Sequence, residues 1–162
     1  MAAPGLAERT FLLTAATGDI AKALAHYAAA QGARLILQAR PEAADALTAW
    51  AATLRNDGHS VETVSRTLQS AADAKALVTH AETHFGRIHA ACLFTAQPPP
   101  ASLLYCEEAA LTAALGEVQA ATVLLQALAQ HWRGRGEHGA LVLSAGTDAF
   151  FPSTQRAAAA MQ

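Results

Sequence analysis

The sequence predicts an α/β domain in which a doubly wound parallel sheet, strand order 3-2-1-4-5, lies between two helical layers. Three observations carry that expectation. Five short apolar runs alternate with four longer stretches of helical period. At least four of the runs are apolar throughout, as strands covered on both faces are. Residues that open or stop helices fall between the runs, and right-handed crossovers then fix the strand order.

The first strand is read at Thr10–Thr14 (TFLLT), and the first helix at Asp19–Gln31, with Gly32 as its stop. The second strand, Arg34–Ala39 (RLILQA), leads into a helix over Pro41–Asp57, which Pro41 opens and Asn56-Asp57-Gly58 closes. A third strand at Val61–Val64 precedes a helix at Ser70–Phe85 that ends at Gly86. The fourth strand is Ala90–Thr95 (AACLFT), and Pro98–Pro100 forms a stiff connector to a helix over Glu107–Trp132. On that helix Leu111, Leu115, Val118, Thr122, Leu125 and Trp132 form a stripe expected to face the core. Leu124 and Leu128 widen it toward a second contact surface. The fifth strand is Gly139–Ser144 (GALVLS), an expected sheet edge open to pairing with another chain.

Composition bounds what such a domain can do. A chain of 162 residues suits one domain, here residues 1–162. Its 52% hydrophobic content excludes disorder, and a net charge of −2 excludes a surface built for polyanions. Alanine fills 43 positions, which favours helix and leaves many sites without chemistry. Cys92 and Cys106 cannot make a disulfide scaffold and fit a reducing compartment. With no secretory pattern at the start and no apolar run near the ~20 residues of a membrane span, a cytoplasmic chain without membrane contact is expected. Trp132-Arg133-Gly134-Arg135-Gly136 is too short a basic loop to argue for nucleic acid.

The segment FLLTAATGDIAKALAHYAAAQGARLILQAR resembles the opening of short-chain dehydrogenases/reductases, with their T-G-x-x-x-G-I-G turn. HFGRIHAACLFTAQ resembles the family's F-G-x-[IL]-D…N-N-A-G segment, and GALVLSAG resembles the strand leading to its catalytic serine. The resemblance implies a Rossmann-like fold over nearly the whole chain, matching the first two-thirds of such an enzyme. It implies little of the chemistry. The family's three glycines appear as Ala15, Asp19 and Ala21, while Thr14 and Ile20 match and Gly18 stands one place early. Asp19 suits a helix N-terminus as a cap but repels a pyrophosphate.

Arg40 matches the arginine of members that use the 2′-phosphorylated cofactor, and a surface arginine before Pro41 explains it equally well. No acidic residue stands there for unphosphorylated ribose, so NADP(H) is favoured over NAD(H) if either binds. Phe94-Thr95-Ala96-Gln97 keeps only Ala96 of the asparagine-rich turn. The family's fourth-helix asparagine falls near Glu117, its acidic residue after the third strand near Thr67, and the aspartate of F-G-x-[IL]-D at His89. Ser144 matches the serine that polarises the carbonyl, but the tyrosine and lysine positions downstream are Ala157 and Met161. No tyrosine follows Tyr105 and no lysine follows Lys75.

What remains of a site is therefore Thr14, Gly18, Ile20, Arg40 and Ala96 for a cofactor, with Ser144 for catalysis. The expectation is an inactive binding or scaffolding partner with no cofactor or weak NADP(H). It would act as a homodimer or in complex with a related reductase. The alternative is an NADP(H)-dependent oxidoreductase, reducing ketones or enones, of which this chain is a divergent or truncated part. His80 and His84 sit one helical turn apart, but HAETH places Glu82 one position late for a zincin, so no metal is expected.

Overall fold

A computed structural model describes residues 5–95 and 107–144. Five strands, β1 (Thr10–Leu13), β2 (Arg34–Ala39), β3 (Val61–Ser65), β4 (Ala90–Leu93) and β5 (Ala140–Leu143), form one sheet in the order β3-β2-β1-β4-β5. All four pairings are parallel. The helices are α1 (Asp19–Ala30), α2 (Ala44–Asn56), α3 (Ala71–Phe85) and α4 (Glu108–Gly134). The expected class and strand order are both present.

Alternation along the central strands divides the core into two layers. Leu13, Leu35 and Leu37 pack under α1 and α2 against Ala25, Ala28, Leu47, Ala51 and Leu54. Leu12 and Ile36 point the other way, toward Leu77, Val78 and Ala81 of α3 and Leu124, Leu128 and Trp132 of α4. The alanines of α1 let it approach the sheet closely, and Ala21, Ala25, Ala28 and Ala29 are its buried residues. Helix α3 starts on a capping box: the Asp73 amide donates to Ser70 Oγ at 3.2 Å, and the Ser70 amide donates to Asp73 Oδ2 at 3.1 Å. The Ser70 hydroxyl, which also donates to Asp73, is the chief cause holding the Asp73 carboxyl below its ordinary range.

Three expectations need correction. Pro41 opens a 3-10 turn, Pro41–Ala43, and the α-helix begins only at Ala44. Asp19 is not the cap of α1. Gly18 is, and it makes no side-chain cap bond, so Asp19 stands exposed in the first turn. Trp132 is buried as expected, but the rest of α4 departs from the expected faces: Leu124 and Leu128 are buried with Ala114, whereas Leu115 is 61% exposed, with Val118 and Leu125 over a third exposed. Leu124 and Leu128 lie in register with Trp132 at four-residue spacing. Trp132 fixes that register by donating its indole N–H to the Ile88 carbonyl at 2.8 Å.

Alpha-4 also departs from the expectation of no membrane-length segment. By length and composition alone it could cross a membrane, and its most apolar stretch is only 17% buried. Its other face, however, closes the core through Leu124 and Leu128, both fully buried.

Candidate functional site

Parallel strands covered by helices on both faces leave their carboxyl ends open at one rim, where α/β domains bind ligands. Here that rim is a cleft of about 1160 Å³ between the β1–α1 turn, the ends of β2 and β4, the segment after β3, and α4. Thr14 and Arg40 line it. Gly18, Ile20 and Ser144 do not, and Ile20 is 71% exposed. Ala96 lies outside the described residues, as do Gln97, Ala157 and Met161.

The two buried polar side chains at the rim, Thr14 and Gln38, are engaged with the protein itself. Thr14 is buried, donating its hydroxyl to the Phe94 carbonyl at 2.9 Å and accepting from the Phe94 amide at 2.8 Å. It clamps the exits of β1 and β4. Gln38, also buried, donates to the Arg66 carbonyl at 2.6 Å and accepts from the Ala15 amide at 3.4 Å. It ties the β1–α1 turn to the end of β3. The signal for this role lies in the sequence, since a glutamine inside an apolar strand must find partners for both ends of its amide.

The turn keeps a glycine-like backbone without the glycine. Ala15 has φ +45°, in the left-handed region, which costs an L residue about 1–2 kcal/mol. The Ala16 amide donates to the Gln38 carbonyl at 2.9 Å, and the Gly18 amide returns to the Ala15 carbonyl at 3.0 Å. Ala15 therefore keeps the tight turn that the family's first glycine provides, while the second position, where backbone approaches a pyrophosphate, is Asp19.

Across the cleft, Arg40 forms an ion pair with Glu117 of α4. The Arg40 side chain is half exposed, while that of Glu117 is largely buried at 12% exposure. The two positions, read separately in the sequence, thus form one contact between the end of β2 and α4. Thr67 lines the same wall.

Ser144 follows β5. Its amide donates to the Leu93 carbonyl at 3.1 Å, and its hydroxyl reaches the same oxygen at 3.4 Å. His89 lies at the opposite end of the sheet, accepting at Nδ1 from the Thr10 amide at 3.0 Å, so it serves as a hydrogen-bond acceptor between β1 and β4. Burial first, then the Arg87 and Arg9 charges, push its pKa down and favour the neutral ring this bond requires. Cys92 is buried beneath α1 and α2, and burial raises its thiol pKa, which leaves it an unreactive apolar filler.

His80 and His84 are drawn together by α3, their rings stacked with centroids 4.2 Å apart. His89 is not with them. Glu82 turns away to pair with Arg135, and the carboxylate that does approach the histidines is Glu62 of β3.

The fold has many solved counterparts. A short-chain dehydrogenase/reductase from Burkholderia phymatum in complex with NAD matches with a TM-score of 0.88 at 21% identity, over 97% of this chain and 56% of that one. NAD+-bound xylitol dehydrogenase matches at 0.85 and 20% identity, over 95% of this chain and 59% of its own. A short-chain dehydrogenase from Mycobacterium smegmatis matches at 0.89 and 20% identity, over 98% and 67%. The chain therefore spans little more than half the length of the first two. No curated protein matches it. The model of the short chain dehydrogenase family matches residues 9–158, in the order of segments that build the sheet, the turn and the rim. The chain belongs to the short-chain dehydrogenase/reductase family.

Proposed function

We propose that this chain is a non-catalytic member of its family, acting as a binding or scaffolding partner and taking NADP(H) weakly or not at all. The Arg40–Glu117 pair carries this reading. The arginine suited to a 2′-phosphate is already neutralised by a carboxylate from α4, and a ligand phosphate must displace that carboxylate or share the cleft with it. Asp19 adds a negative charge at the α1 N-terminus, where a pyrophosphate would otherwise meet the helix dipole. These residues do not fit a dinucleotide.

Partnership is supported by apolar surface. Leu115, Val118 and Leu125 form an exposed row on α4, and Val142 and Leu143 are exposed on the edge strand β5. We assign this surface to a second copy of the chain, with a related reductase as the other candidate. The proposed contact face is thus the Leu115 row, with Leu124 and Leu128 behind it in the core. About 800 Å² buried per subunit suffices for a standard interface.

The competing reading, an NADP(H)-dependent oxidoreductase of which this chain is part, is favoured by the open cleft with Arg40 on its wall. Assay of NADPH-dependent ketone and enone reduction separates the two. The chain is expected to match a heat-treated control. Activity above that control, abolished by Ser144→Ala, would establish the oxidoreductase reading instead.

A further inference from the structure

We propose that Glu62, His80 and His84 form a binding site for a divalent transition-metal ion, with Zn²⁺ as the fitting representative. The site lies away from the cleft, where edge strand β3 meets α3. It is independent of whether any dinucleotide binds.

Helical geometry sets the first two ligands: residues four apart on α3 share a face, so both imidazoles project toward the same side. The sheet supplies the third. Glu62 pairs in register with Ile36, whose side chain packs in the α3 layer of the core, so the carboxylate rises on the α3 side of β3. Glu62 Oε1 lies 3.5 Å from His80 Nε2 and 3.8 Å from His84 Nε2, and the three ligand atoms all fall within 4.8 Å of one another. Bonds of the length zinc makes to nitrogen and oxygen place neighbouring ligands of a tetrahedron about 3.3 Å apart. Small side-chain adjustments therefore close the set around one ion, with a fourth position left for water.

Two details argue that these atoms are arranged for a cation. His84 Nδ1 lies 3.0 Å from the His80 carbonyl, an acceptor. That bond requires a proton on Nδ1, so Nε2 of the neutral ring carries the lone pair facing Glu62. This is the backing that orients metal-bound histidines. His80 Nε2 is shielded from solvent and has no hydrogen-bond partner among the described residues. The lone pair of His84, the shielded Nε2 of His80 and the Glu62 carboxylate thus face one point, where a single divalent ion can bind all three at once. Glu62 and His84 keep 31% and 41% of their side-chain surface exposed, which leaves an entry path.

Zinc titration calorimetry on the untagged full chain, in a buffer that does not chelate the metal, tests the site. One Zn²⁺ per chain is expected in the micromolar range. Glu62→Gln and His84→Ala should each weaken binding by about tenfold or more, while His138→Ala leaves it unchanged. Circular dichroism verifies that each variant is folded. Co²⁺ should give the visible absorption of a tetrahedral site, lost in Glu62→Gln. Absence of stoichiometric zinc binding overturns the proposal, as does Glu62→Gln binding zinc as tightly as the unaltered chain. The latter result would reduce the site to a helical histidine pair.

Discussion

The packed body of the domain and the rim at the carboxyl ends of its strands use the family's sequence pattern differently. In the body, Leu12, Leu13, Leu35, Ile36 and Leu37 are fully buried and occupy the positions a doubly wound sheet requires. At the rim, Thr14, Gln38, Arg40 and Glu117 occupy positions where a ligand would be met, yet Thr14 bonds to Phe94, Gln38 to Arg66 and Ala15, and Arg40 to Glu117. Burial of apolar surface depends on size and period, which many residues satisfy. Recognition of a dinucleotide depends on particular atoms at particular points. The first persists here at about 20% identity to solved relatives, and the proposed function holds that the second does not.

Substitution on the two sides of α4 should give the largest effect. Leu124→Glu places a carboxylate against Leu12 and Ile36 and should cost about 4 kcal/mol or more, enough to abolish a cooperative unfolding transition. Leu115→Glu, on the exposed side, should leave the thermal midpoint nearly unchanged and shift light scattering from dimer to monomer. If both variants stay folded and only Leu124→Glu dissociates, the assigned faces of α4 are reversed.

A second, smaller effect concerns the body. A β-carbon on Gly139 would come within 2.0 Å of the Trp132 ring. Because that ring is anchored to Ile88, Gly139→Ala should lower stability by about 1–3 kcal/mol in denaturant unfolding. A neutral outcome would mean that the indole is free to move.

A third effect follows from His89. Its folded pKa is lowered from 6.5, so the unfolded chain binds more protons as pH drops below that value. Stability should therefore be intact above about pH 6.5 and decline through the range below it. His89→Asn, which keeps an acceptor but does not titrate, should flatten that part of the profile. An unchanged slope would mean that other groups carry the acid sensitivity.

The strands and helices were legible because period and punctuation are local properties. RLILQA could hardly be read otherwise, and it forms β2 from Arg34 to Ala39 as expected. The faces of α4 were not legible, because its apolar residues cover more than one side of the helix. Leu115 and Leu124 look alike until the anchoring of Trp132 fixes the rotation. At the rim, sequence showed which family residues were replaced but not what the replacements do. Arg40 and Glu117 are 77 positions apart and become partners only once the sheet brings β2 beside α4. The same holds for Glu62, which strand register alone delivers to His80 and His84.

Titration calorimetry with NADPH tests most directly whether the rim is closed to its family's ligand. The unaltered chain should bind no tighter than about millimolar, near −4 kcal/mol. Asp19→Gly and Glu117→Ala should each tighten binding, the first by removing charge from the α1 N-terminus and the second by releasing Arg40. Micromolar binding by the unaltered chain, with no gain from either variant, would contradict the claim that these residues bar the cofactor.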